Sequence, residues 1–348
     1  MKKLVIVAFL LLLVCNIFAQ SNHQNVSASA ESGLVKWLDF KEAQALYKKQ
    51  PKPFLIDVYT DWCGWCKHMM RTTYSDQGIS NYVNTYFYPI KFNAETKDTI
   101  EYNGVKYGST DTSRKQSPHQ LAVKLLGNSL SYPSTVFVSN NYQFNLLSKG
   151  YLEAKNIEPI LVFTVENVYR NCDYEEFKGN FNKAFYDTTK TTPTVKWYTM
   201  KEALELQKTK PKKIVVDVYT SFCNSCKVMN KTSFSDTSLA KYINEKFYLV
   251  DFNAESKDTV VFNGTKFANN GTPVFPFHSF ALALTRERFD LPSTCILNEE
   301  MQLVDVVPFY LPGKNLDLIL HYFGDNEYKT LPWDAYMKKK QESGKASN

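Results

Sequence analysis

Short apolar, β-branched runs alternate along this chain with stretches whose apolar residues fall at helical spacing, and the whole succession occurs twice. In the first copy, Asp39 and Glu42 form a capping-box pattern ahead of a helix over 43–49. Residues 54–59 (Phe-Leu-Ile-Asp-Val-Tyr) predict a strand, and a helix follows it to about residue 74. A shorter helix at 79–85 leads to a strand at 87–92. Beyond an inserted stretch come a helix at 119–126, stopped by Gly127, and a strand at 135–139. Asn140-Asn141 turns the chain into a strand at 144–147, and a last helix covers 155–169. Strand, helix and strand followed by an antiparallel hairpin and a helix describe an α/β unit: a mixed central sheet flanked by helices.

The second copy is in register with the first. Trp37, Cys63 and Asn93 map to Trp197, Cys223 and Asn253, each 160 residues on, and Phe92-Asn-Ala-Glu95 recurs as Phe252-Asn-Ala-Glu255. Pro133-Ser-Thr135 recurs as Pro292-Ser-Thr294, one residue out of step. A period this long exceeds the roughly 20–50 residues of solenoids and implies two tandem domains, 34–165 and 195–325. The segment 166–194 between them is expected to be partly helical, because Tyr174, Phe177, Phe181 and Phe185 recur at helical spacing after Asp173. A Thr-rich hinge is expected at 187–193, and a polar tail at 326–348. Residues 20–33 and 334–348 are polar enough to be expected disordered. In the inserted stretch, alternation around Asn103-Gly104 signals a type I′ hairpin, repeated at Asn263-Gly264. Each hairpin follows a strand parallel to the cysteine-bearing one, so it is expected at the active-site edge, as a substrate-facing wall.

Composition narrows the class. Lys2-Lys3, an apolar run from 4 to 18 and Ala19 form a signal-peptide pattern, 1–19, with cleavage after Ala19. Those 15 residues fall short of the roughly 20 that span a bilayer, so no stable membrane insertion is expected after cleavage, and the protein is expected to be exported, periplasmic or in the cell envelope. Losing Lys2 and Lys3 lowers the net charge from +6 to +4, and the only basic run, Lys338-Lys339-Lys340, lies in the polar tail; nucleic acid is not an expected partner. Of seven cysteines, Cys15 lies in the leader, leaving two pairs plus Cys172 and Cys295. Six cysteines in so long a chain do not make a disulfide-stapled scaffold.

The pairs therefore carry the chemistry. Each Cys-x-x-Cys, at Cys63/Cys66 and Cys223/Cys226, follows an apolar strand and opens a helix. Unpaired N–H groups and the helix dipole favour a thiolate there, which points to dithiol–disulfide exchange. Cys63 and Cys223 would attack, and Cys66 and Cys226, one turn along, would resolve the mixed disulfide. Structural disulfides remain open as a second explanation, and with them a binding or chaperone-like module. Zinc is disfavoured because 156 residues separate Cys66 from Cys223, where ribbons use about 15–20; no metal or cofactor is expected. Asp57 and Asp217 each interrupt an apolar strand, where burial should raise a carboxyl pKa. His119 and His278, at helix starts, suit a neutral hydrogen-bonding role. Met69, Met70 and Cys295 read as core.

Three features together resemble the thioredoxin superfamily: Trp62-Cys63-Gly-Trp65-Cys66-Lys67, an aspartate six residues before the first cysteine, and Pro-Ser-Thr entering a late strand. The second motif departs from it, with Phe222 for Trp62 and Asn224-Ser225 between the cysteines. The resemblance covers both copies and is nearest to exported disulfide-interchange proteins. It implies thiol-disulfide oxidoreductase activity on protein or peptide clients, a redox partner protein, and proton transfer for the resolving thiol by Asp57 and Asp217. It also implies cis bonds at Pro133 and Pro292, with Trp62, Trp65, Tyr132 and Leu291 completing the substrate-binding face. A family lysine near the aspartate matches Lys91 in the first copy, where the second has Asp251.

Overall fold

Every residue of β1 (Phe54–Tyr59) but the last is buried, which is why, Asp57 apart, it reads as an apolar run rather than an alternation. The computed structural model describes residues 33–189, 195–272 and 275–345; the expected leader at 1–19 and nearly all of the polar stretch 20–33 lie outside them. The chain divides into two units, one to Leu161 and one from Val162.

In the first unit, α1 (Phe40–Lys49) opens with the expected capping box between Asp39 and Glu42. After β1 come α2 (Gly64–Arg71), α3 (Gln77–Tyr86) and β2 (Tyr88–Asn93). The hairpin β3 (Ile100–Tyr102) and β4 (Val105–Tyr107) precedes α4 (Gln120–Leu126), β5 (Ser134–Val138) and β6 (Asn145–Lys149), and α5 (Ala154–Val165) begins in this unit and runs past its end at Leu161. The sheet order is β2-β1-β5-β6, with β2 parallel to β1 and the other neighbours antiparallel. Phe54, Ile56 and Val58 of β1 pack with Ile90, Phe92, Leu121 and Val136 in one buried cluster.

The second unit contains α6 (Tyr174–Phe185), β7 (Trp197–Tyr198), α7 (Met200–Gln207), β8 (Lys213–Tyr219) and α8 (Asn224–Lys231). These are followed by α9 (Thr237–Lys246), β9 (Phe247–Asn253), hairpin β10 (Val260–Phe262) and β11 (Thr265–Phe267), and α10 (Ser279–Leu284). β12 (Ser293–Leu297), β13 (Leu303–Pro308), α11 (Gly313–Gly324) and α12 (Trp333–Lys345) complete it. Its sheet, β13-β12-β8-β9-β7, repeats the first with one more edge strand. The tandem mixed sheets flanked by helices, each with an inserted hairpin, are the architecture that the sequence predicts.

Four expectations need correction. The cysteine helix stops at Arg71 rather than near Tyr74, because Thr72 leaves the helical region (φ −109°, ψ −82°) and a 3₁₀ turn, Thr73–Ser75, follows. The helix expected over 155–169 ends at Val165, before a left-handed Asn167. The polar tail is not disordered through 345: α12 holds Tyr336 at 1% exposure against Tyr322 and Trp333, an aromatic anchor that average polarity conceals. The hairpin does not wall the cysteine edge. Asn103 and Gly104 do adopt the positive φ of a type I′ turn (51° and 76°), but the backbone around the turn is held by Gln44 of α1. Tyr102 meets Tyr142, in the β5–β6 turn at the opposite end of the sheet from Cys63. Tertiary packing of Ile100, Tyr102 and Tyr107 onto the core overrides the exit direction of β2.

Candidate active site

β1 delivers the chain to a turn closed by the Cys63 N–H donating to the Thr60 carbonyl at 3.1 Å, and Cys63 becomes the N-cap of α2. Its Sγ accepts the Cys66 N–H at 3.1 Å, the place a Ser or Asp oxygen takes in an ordinary cap. Cys63 and Cys66 are joined as a disulfide with Cα atoms 5.3 Å apart. The second unit repeats this: Cys223 caps α8, its Sγ accepts the Cys226 N–H at 3.2 Å, and the two are joined as a disulfide. Cys63 and Cys223 are each 4% exposed, Cys66 and Cys226 each 3%. Exposure therefore does not separate leading from resolving sulfur; capping does, since only Cys63 and Cys223 sit where helix amides and dipole stabilise a negative sulfur.

The peptide bonds Tyr132–Pro133 and Leu291–Pro292 are cis. Val58 pairs with Ser134, and Val218 with Ser293, so each proline lies beside the strand end that leads to its cysteines. In the first unit an aromatic rim surrounds them. Trp62 is 58% exposed, edge-on to Tyr132 at 6.0 Å, and its indole N–H donates to the Glu95 carboxylate at 3.1 Å. Trp65, 62% exposed, packs on His68 and Tyr151. In the second unit the rim is Phe222, set against Phe277, and Leu291 packs on the core cluster.

Asp57 and Asp217 are both buried, as expected from their strands. Burial pushes each carboxyl up from its ordinary value, and their neighbours then diverge. Lys91, directly across from Asp57 on β2, forms an ion pair with its Oδ2 and opposes the rise, while its ammonium lies 4.4 Å from the Tyr59 ring centre. Across from Asp217 stands Asp251, whose charge adds to burial and takes Asp217 to about 7. Among the described residues no hydrogen bond joins either aspartate to its resolving cysteine, and the Oδ1 of each is unpartnered. Among the described residues neither His119 nor His278 hydrogen-bonds to a cysteine. Each caps a helix through Nδ1, accepting an amide, and donates from Nε2 to the carbonyl of Asp98 or Asp258. Desolvation lowers the His119 pKa, consistent with a neutral ring. Cys295 is core, and its thiol is pushed up by burial.

Three carboxylates of the sites escape a reading of the motifs. Glu95 and Glu255 were visible as the repeated Phe-Asn-Ala-Glu, without a role: Glu255 accepts the Ser221 N–H, a backbone partner where Phe222 offers no indole N–H. Glu166 had no local signal. It lies 57 residues before Cys223, and its carboxylate accepts the amides of Asn224 (3.1 Å) and Ser225 (2.7 Å).

A family model described as "Thioredox_DsbH: Protein of unknown function, DUF255" matches residues 18–155 and 180–282, well over half of the chain. The chain belongs to this family. Each segment matched by the Thioredox_DsbH model contains one cysteine pair. Among solved structures the chain is similar to a thioredoxin-fold protein from Helicobacter pylori (16% identity, 49% of this chain and 94% of that one, TM-score 0.31). It is also similar to a DsbH oxidoreductase (16%, 37% and 81%, TM-score 0.25) and to the DsbD C-terminal domain of Neisseria meningitidis (18%, 35% and 94%, TM-score 0.23). No curated protein matches the chain. Membership in this thioredoxin-like family and two Cys-x-x-Cys pairs at helix N-termini point to thiol–disulfide redox chemistry.

Proposed function

We propose that this chain is an exported thiol–disulfide oxidoreductase that exchanges disulfides with client proteins. The observation that carries the proposal is Cys63 Sγ as the N-cap of α2, accepting the Cys66 N–H one turn from its disulfide partner. In the reductive direction the Cys63 thiolate attacks a client disulfide R–S–S–R′. The Cys63–S–S–R bond forms, and R′–S⁻ leaves and takes a proton. Cys66, having lost its proton, then attacks Cys63 Sγ, releases R–S⁻ and closes the Cys63–Cys66 disulfide. Two electrons pass from the pair to the client, and a redox partner protein returns them; the reverse sequence oxidises a client dithiol. Asp57, protonated more readily than an ordinary carboxyl because it is buried, is the proposed acceptor for the Cys66 proton, and Asp217 the counterpart for Cys226. Trp62, Trp65, Tyr132 and Pro133 form the proposed client face in the first unit, with Leu291 and Pro292 in the second. Export is supported by Lys2-Lys3 and the apolar run before Ala19. Among the described residues no helix is long and apolar enough to cross a membrane.

The low exposure of the leading cysteines favours one rival, a binding or chaperone-like module whose disulfides are structural. Trapping separates the two. After mild reduction at neutral pH, Cys66→Ser and Cys226→Ser variants should accumulate mixed disulfides through Cys63 and Cys223 with protein disulfides offered to them. Failure of iodoacetamide to label either leading cysteine, with no trapped client, refutes the exchange activity. Cell fractionation and N-terminal sequencing of the mature chain test export.

A further inference from the structure

The two redox helices differ in what occupies their first amides. On α8 the N–H groups of Asn224 and Ser225, the first two helical positions, donate to the two oxygens of Glu166, at 3.1 and 2.7 Å. One of those oxygens is 3.7 Å from Cys223 Sγ. Ser225 is fully buried here, whereas its counterpart Trp65 projects into solvent. On α2, among the described residues, no carboxylate takes the amides of Gly64 and Trp65. The helix dipole and free amides that stabilise a Cys63 thiolate are thus already answered by a full negative charge in the second unit, and that charge sits against the sulfur.

We infer that the Glu166 carboxylate, seated on the first amides of α8 beside Cys223, holds the second pair's leading sulfur back as a nucleophile, so that the first pair is the faster attacking site. This rests on the thiol-exchange function proposed above and divides it between the two pairs. Among the described contacts near Cys223, the other carboxylates act in the same direction as Glu166. Glu255 places a second carboxylate on the Ser221 amide, and Asp217 and Asp251 lie behind on β8 and β9. Among the described residues Lys227 meets the Asn224 side-chain oxygen, at 3.5 Å, and Lys231 donates to the Ala184 carbonyl of α6 at the far end of α8. Glu166 is a positioning residue in this scheme: it touches the sulfur and the helix amides and takes no part in electron transfer.

The test compares Glu166→Gln and Glu166→Ala with the natural residue, each in the full reduced chain bearing Cys66→Ser and Cys226→Ser. The pH dependence of iodoacetamide alkylation is read separately at Cys63 and Cys223 by peptide mass spectrometry. Glutamine removes the charge and keeps one acceptor oxygen, enough for one of the two amides, while alanine removes both; thermal unfolding checks that each variant is folded. With Glu166 in place, Cys223 should titrate above Cys63. Both substitutions should speed Cys223 alkylation at pH 7 by about tenfold and leave Cys63 unchanged, the size expected when one like charge in contact is removed. If glutamine behaves as glutamate does, Glu166 is only a helix cap and the inference falls. It falls equally if Cys223 titrates below Cys63 in the natural chain. Should neither cysteine label in any of the three proteins, the exchange function itself is refuted, an outcome distinct from both.

Discussion

Asp217→Asn should make the second unit more stable at pH 8 than at pH 5, relative to the natural chain. Asp217 is 2% exposed, faces Asp251 across the β8–β9 pair, and is pushed up from 3.8 to about 7 by burial first and by the Asp251 charge second. A raised folded-state pKa means that, between 3.8 and about 7, the unfolded chain releases a proton that the folded chain retains. Stability is then fully present below pH 3.8, declines as pH rises, and levels off above about 7. At about 1.4 kcal/mol per unit, the two units between pH 5 and the folded pKa remove roughly 3 kcal/mol. Asparagine cannot titrate, and whatever its amide costs in that pocket is the same at both pH values. The difference between variant and natural protein should therefore grow by roughly 3 kcal/mol from pH 5 to pH 8. Urea unfolding of the oxidised full chain, read by hydrogen exchange on second-unit peptides, measures it. An equal effect of the substitution at both pH values would refute the idea that burial and Asp251 keep this carboxyl protonated.

Two further outcomes check the contrasting features. Lys91→Met strips Asp57 of its ion-pair partner and should destabilise the first unit by about 2 kcal/mol at pH 8 in the same urea assay, with a smaller effect at pH 4, where the uncompensated carboxyl takes up a proton. Gly104→Ala places a Cβ at φ 76° and should lower first-unit stability by about 1 kcal/mol. Because the hairpin packs toward Tyr142, the same substitution should leave the rate of insulin reduction unchanged; a several-fold loss would return the hairpin to the client face.

Much of the architecture was legible because its signals are local or repeated. Cys63 and Cys223 share an offset with Trp37 and Trp197, which sets two domains before any contact is known. Asn103-Gly104 announces its turn because few residues tolerate two successive positive φ angles. The Asp39–Glu42 capping box works within a single turn of chain. The hairpin's destination was not legible, because Gln44 and Tyr142 claim it from distant positions. Average polarity likewise hid α12, whose order depends on Tyr336 meeting the Tyr322 ring. Lys91 and Asp251 could be aligned with one another in the sequence; that they oppose buried aspartates, with opposite sign, follows from strand register.

By itself the sequence determined which atoms are available: two thiol pairs at helix starts, each behind an apolar strand that carries one aspartate. Those assignments depend on spacings of a few residues, where chain geometry leaves little choice. The sequence showed that the two motifs differ; only the tertiary structure decided which charges face each site. Lys91 stands against Asp57 and Asp251 against Asp217, and Glu166 reaches amides 58 and 59 residues away. Thiol and carboxyl acidity depends on charges within a few ångströms whatever their distance along the chain, so this difference emerges only once the fold has brought those charges together.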